Sequence, residues 1–103
     1  MKTDAAPPSP EFVSAEIAKA VAIITAQPGV ERIWFFGSAA EKRGNTGSDL
    51  DFAVEGLPRN SHFGVVGELL LALRTAVDLV RWEEASDALR ASIVRQGTVI
   101  YAA

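Results

Sequence analysis

The chain has 103 residues, of which 49% are apolar and 22% charged, enough for one domain around a single core and unlike a disordered polyelectrolyte. Ten basic residues against 13 acidic ones argue against a broad nucleic-acid or membrane surface, because phosphate-rich partners need clustered Lys and Arg. With no cysteine and a lone histidine, His62, the chain excludes disulfides, a cysteine nucleophile and a multi-histidine zinc site.

The opening "MKTDAAPPSP" mixes charge and proline where a secretion signal would need an apolar run. It reads as a disordered, cytoplasmic N-terminus over residues 1–9, leaving residues 10–103 as one domain. Ser9 can cap a helix begun by Pro10, with Val13, Ile17, Val21 and Ile24 as its apolar stripe. "QPG" at 27–29 ends that helix. "VERIWFF" at 30–36 is β-branched and aromatic, a buried strand that Gly37 stops. "AAEKRG" can hold a helical turn, and "GNTGS" reads as a loop.

"DLDFAVEG" alternates, with Leu50, Phe52 and Val54 facing one way and Asp49, Asp51 and Ala53 the other. Asn60 or Ser61 can cap a second helix whose stripe is Phe63, Val66, Leu70 and Leu73, with His62 facing solvent. "TAVDLVRW" at 75–82 is a third strand carrying Asp78. Ser86 caps a last helix through Gln96, with Leu89 and Ile93 on one side, and Gly97 stops it. "TVIYA" is a fourth strand at a sheet edge. The fold class is therefore α/β (α+β): a small mixed sheet of about four strands covered by helices, with the carboxylate face left open.

Residues i and i+2 of a strand share a face, so Asp49 and Asp51 present their carboxylates side by side. Asp78 joins them if its strand lies beside theirs. Two like charges about 4 Å apart repel by roughly 1 kcal/mol in water and roughly 4 kcal/mol at an effective dielectric near 20. Divalent cations relieve that cost, and hard Mg²⁺ suits an all-oxygen site shared with phosphates. Gly37 lets a triphosphate approach the backbone, Ser38 adds a hydroxyl, and Lys42 or Arg43 can add positive charge. Read blandly, Asp49 closes a turn and Asp78 stands on a solvated strand face. Trp34, Phe35 and Phe36 then belong to the core, and Trp82 and Tyr101 to the core or an interface.

"GSAAEKRGNTGSDLD" has Gly-Ser, ten residues, then Asp-x-Asp, and resembles nucleotidyltransferases of the DNA polymerase β type. The short length and the tail from "VDLVRW" onward look most like the minimal nucleotidyltransferases (MNT), many of them antitoxins paired with HEPN ribonuclease toxins. The resemblance spans roughly residues 12–101. It implies a polymerase β-like fold, with Asp49, Asp51 and Asp78 as catalytic and metal-binding carboxylates. It also implies Gly37 and Ser38 as the nucleotide-binding turn, ATP as substrate and two Mg²⁺ ions. Ala39 and Ala40 stand where many relatives carry an arginine soon after the Gly-Ser pair.

The expected activity is transfer of AMP from Mg-ATP to a hydroxyl, with a tyrosine of a cognate HEPN toxin as acceptor in a hetero-oligomer. Two other readings remain open at this point: an antitoxin that neutralises its toxin by binding alone, and a homodimeric transferase for an aminoglycoside-type small molecule. No direct nucleic-acid or membrane partner is expected.

Overall fold

A computed structural model of the protein describes residues 9–36 and 50–103. The expected disordered segment 1–9, apart from Ser9, and the turn and loop expected over 37–49 lie outside the described residues. In chain order the elements are α1 (Pro10–Thr25), β1 (Arg32–Phe36), β2 (Leu50–Glu55), α2 (His62–Ala72), β3 (Val77–Arg81), α3 (Asp87–Gln96) and β4 (Thr98–Ala102). Short 3₁₀ turns at Arg59–Ser61 and Trp82–Glu84 lead into α2 and toward α3.

The four strands form one mixed sheet in the order β3-β2-β1-β4. β1 pairs antiparallel with β2 and with β4, and β2 runs parallel to β3. A parallel neighbour needs a crossover, which α2 supplies between β2 and β3. β4 lies at the edge, as its sequence suggests.

Ser9 caps α1 by accepting from the Phe12 amide at 3.1 Å, and Ser86 caps α3 from the Leu89 amide at 3.1 Å. Neither Asn60 nor Ser61 caps α2 in this way. Ser61 stands at the N-cap with helical backbone angles and no side-chain bond, because the 3₁₀ turn delivers the chain already coiled. Gly97 does end α3, and close approach explains the glycine: a β-carbon there would lie 2.6 Å from the Ile93 carbonyl oxygen and 3.1 Å from that of Phe35.

The main core lies between α1, α2 and one sheet face, where Ile33, Phe35, Leu50, Phe52, Val54 and Leu79 meet Ala20, Ile24, Val65 and Leu69. The α2 stripe differs from the one expected. Val65, Leu69 and the following Leu73 are buried, Val66 is half-buried, and Phe63 and Leu70 are exposed. α2 is apolar on nearly every side, so helical periodicity alone does not select a face. Gly64 and Gly67 border open space, and nothing in the structure explains them.

α1 also departs in part from expectation. Ile24 is fully buried, but the line beneath it is Ala20 and Glu16, with Val13, Ile17 and Val21 flanking the core half-buried. An acid on the buried line was not expected, and its partners explain it below.

Candidate functional site

β2 and β3 are in register, Leu50 with Val77, Asp51 with Asp78 and Phe52 with Leu79. Paired residues of neighbouring strands project from the same face, and their backbones are about 4.8 Å apart. Phe52 and Leu79 face the main core, so Asp51 and Asp78 share the opposite face at the N-terminal ends of β2 and β3. Phe36, the last residue of β1, pairs with Asp51 on its other side. Three strand ends thus meet where the two carboxylates stand. Asp51 is half-buried and Asp78 is exposed.

Asp49, Gly37 and Ser38 lie outside the described residues. Among the described residues no group of three or more His, Asp or Glu is close enough to hold a metal. Asp51 and Asp78 are two all-oxygen donors on one face, a set that suits a hard divalent cation completed by further carboxylate, phosphate or water oxygens.

The carboxylate face is not left bare by the helices, contrary to expectation. α3 covers part of it, burying Ile93 against Trp34 and Ala53, with Phe36, Trp82 and Leu89 packed around them. Trp34 and Trp82 stack with ring centroids 4.3 Å apart and planes 16° from parallel. Arg90 lies over the Trp82 ring at 5.1 Å and donates from Nε to the Trp82 carbonyl at 3.0 Å. Two indoles on one face carry too much apolar area to leave in water, which accounts for the third helix there. Beside this cover Asp51 stays half-buried and Asp78 exposed.

His62 is not solvent-facing. It is half-buried, and its Nε2 donates to the Leu79 carbonyl at 2.8 Å. β3 is an edge strand, and His62 supplies a donor to that edge beside Asp78. No sequence pattern signals this bond, since it depends on how α2 enters the fold.

Glu16 was also unforeseen. Its side chain is 1% exposed, the one buried charged residue among those described. Its Oε1 accepts from the amides of Arg74 at 2.7 Å and Thr75 at 3.1 Å, while Lys19 Nζ lies 3.4 Å from Oε2. Burial pushes this carboxyl's pKa up, but the two amides, Lys19 and the Thr75 side chain outweigh it and hold the pKa below its ordinary value of 4.5.

A pKa depressed by folding gives stability that is present above the unfolded value and lost as pH falls through the folded one. At neutral pH, Glu16→Gln is therefore expected to be less stable by about 2 kcal/mol. The gap between the two proteins should narrow as pH drops below 4.5 toward the lowered folded pKa. Urea titrations of both proteins at a series of pH values measure it.

The groove between α1 and α2, about 480 Å³ and lined by Ala22, Ile23, Ala26, Glu68, Leu71 and Ala72, lies in the helical layer on the other side of the sheet. It offers one acid and no partner for it. Among the described residues no helix is long and apolar enough to cross a membrane.

Residues 18–103 match the family described as Polymerase beta, Nucleotidyltransferase. The chain belongs to that family. No curated protein matches this nucleotidyltransferase. Among solved structures it is similar to a toxin–antitoxin complex with AMP-PNP, at 28% identity over 86% of this chain and 73% of that one, with a TM-score of 0.72. It is also similar to a Shewanella oneidensis complex of MNT antitoxin with a tri-AMPylated HEPN toxin. That match has 26% identity over 87% of this chain and 72% of the other, with a TM-score of 0.71. A MntA–HpeT complex bearing two aspartate-to-glutamate changes two positions apart matches at 26% identity and a TM-score of 0.74, over 84% of this chain and 73% of that one. The chain therefore has the minimal nucleotidyltransferase fold and is homologous to antitoxins of this class.

Proposed function

We propose that this nucleotidyltransferase moves AMP from Mg-ATP to a hydroxyl, and that its acceptor is a tyrosine of a cognate HEPN toxin, which AMPylation silences. The observation that carries the reading is the register of Asp51 with Asp78 on one sheet face, at the end of the sheet where β1 finishes. The relatives with AMP-PNP and with a tri-AMPylated HEPN toxin supply the nucleotide and the acceptor class.

In this reading Asp49, Asp51 and Asp78 hold two magnesium ions. When bound, the ions neutralise the carboxylates and the triphosphate and lower the pKa of the acceptor hydroxyl. Asp49 directly precedes Leu50, the first residue of β2, in the chain. Gly37 and Ser38 follow Phe36 in the chain and orient the β- and γ-phosphates. The acceptor oxygen bonds to the α-phosphorus, the bond from that phosphorus to the β-phosphate bridging oxygen breaks, and pyrophosphate leaves. Asp78, the exposed carboxylate, takes the hydroxyl proton. Catalysis is then mostly positioning and charge neutralisation.

In this reading the acceptor arrives on another protein, as the HEPN toxin of the Shewanella oneidensis complex is a partner of its MNT antitoxin. Mg-ATP at about 100 times its dissociation constant should stabilise the fold by roughly 2.7 kcal/mol. That is a rise of roughly 10–20 °C in Tm for a domain of this size. Incubation with labelled ATP and the HEPN protein should leave label on that protein. A HEPN protein neutralised without label would mean an antitoxin that acts by binding, and label only on a small hydroxylated molecule would mean a different acceptor class.

A further inference from the structure

We propose that Glu16 is a positioning residue for the carboxylate pair: through the crossover between α2 and β3 it fixes the register that sets Asp78 beside Asp51. The inference rests on the reading of Asp51 and Asp78 as a metal-binding pair.

The crossover is anchored residue by residue. The Leu73 amide donates to the Leu69 carbonyl at 2.9 Å, closing α2. The next two amides, of Arg74 and Thr75, both go to Glu16 Oε1 at 2.7 and 3.1 Å. The Ala76 carbonyl accepts from the Leu50 amide at 2.9 Å, and β3 begins at Val77. Leu73 is thus tied to α2, the middle pair to α1, and Ala76 to the residue that precedes Asp51.

Register along β3 has two kinds of error. A slip of one residue would turn Asp78 into the core and Leu79 out of it, which the apolar pattern forbids. A slip of two keeps the faces and moves Asp78 about 7 Å along β2, away from Asp51. Sidedness therefore does little against the second error. A clamp on the two residues three and four positions before Asp78 guards against it by fixing how much chain separates α2 from the strand.

The choice of an acid at this place fits that task. Positions 20 and 24 of the same buried line are Ala and Ile, both fully buried, and an apolar residue at 16 would extend the core. It would also leave two successive amides without an acceptor. One carboxylate oxygen serves both.

The test uses Mn²⁺ as the probe, with its affinity for the folded protein read by electron paramagnetic resonance in the presence of ATP. Amide hydrogen exchange at Leu50, Arg74 and Thr75 is read alongside. Glu16→Ala is expected to weaken Mn²⁺ binding about tenfold, in the range for outer-shell ligand supports, and to speed exchange at all three amides. Glu16→Gln keeps one accepting oxygen and should show a smaller loss, so it decides the matter alone if the alanine variant does not fold. Ile24→Val, a fully buried change on the same helix, should leave Mn²⁺ affinity within about twofold and serves as the control for stability.

Glu16 variants with a lowered Tm but Mn²⁺ affinity within about twofold of the unmodified protein would overturn the proposal and leave Glu16 a purely structural residue. If Asp78→Asn loses Mn²⁺ while the Glu16 variants keep it, only the role of Glu16 fails. If the unmodified protein does not bind Mn²⁺ at all, the carboxylate reading fails and this inference with it.

Discussion

Asp51→Asn and Asp78→Asn are each expected to lower AMP transfer by about three orders of magnitude. A carboxylate that holds a catalytic cation is worth several kcal/mol of transition-state stabilisation. At about 1.4 kcal/mol per factor of ten, that makes roughly a thousandfold. Single-turnover transfer of labelled AMP measures the loss. Asp78 adds a second signature. It is exposed and takes no part in the packed core. Asp78→Asn should therefore shift Tm by no more than about 4 °C. A variant that is dead and no less stable marks a site built for a ligand rather than for the fold. A variant that is dead because it is unfolded does not.

The second large effect lies one residue away and has the opposite character. Phe52 is fully buried, its ring 5.6 Å from that of Phe35, with Leu79 beside it on β3. Phe52→Ala should cost about 3–5 kcal/mol, the sum of lost burial and the cavity left behind. Set against a total stability of about 5–15 kcal/mol, that lowers Tm by roughly 15–30 °C and can unfold the chain outright. Phe63→Ala removes the same ring from a position 86% exposed and should shift Tm by no more than about 4 °C. Thermal unfolding followed by circular dichroism compares the two. The pair also tests the face that α2 presents, because the periodicity of its sequence puts Phe63 in the stripe and the fold puts it outside.

What was legible in the sequence follows from where the information is local. Ser9 and Ser86 cap their helices because an N-cap is decided within four residues. The strands were legible from short apolar and aromatic runs, and strict alternation in β2 assigned Leu50, Phe52 and Val54 to one face correctly. The face of α2 was not legible, because a helix apolar on most sides is turned by what it crosses rather than by its own pattern. α3 on the carboxylate face follows from a contact between Trp34 and Trp82, residues 48 positions apart whose meeting no window of sequence reveals. Glu16 and His62 were missed for a related reason. Each satisfies backbone groups of β3 or its lead-in, and such a partner exists only once the crossover is built.

The candidate site divides in the same way. The expectation that Asp49 shares a face with Asp51 needs only local alternation and falls outside the described residues, whereas Asp78 joins Asp51 through a parallel pairing that depends on the whole crossover. Two carboxylates brought together by that pairing are the element on which the chemistry rests. A crystal structure with Mg²⁺ and a non-hydrolysable ATP analogue examines it most directly. Magnesium is expected within about 2.1 Å of carboxylate oxygens from both Asp51 and Asp78, with the triphosphate completing the coordination. Nucleotide bound elsewhere, or Asp78 turned away from the ion that Asp51 holds, would contradict it.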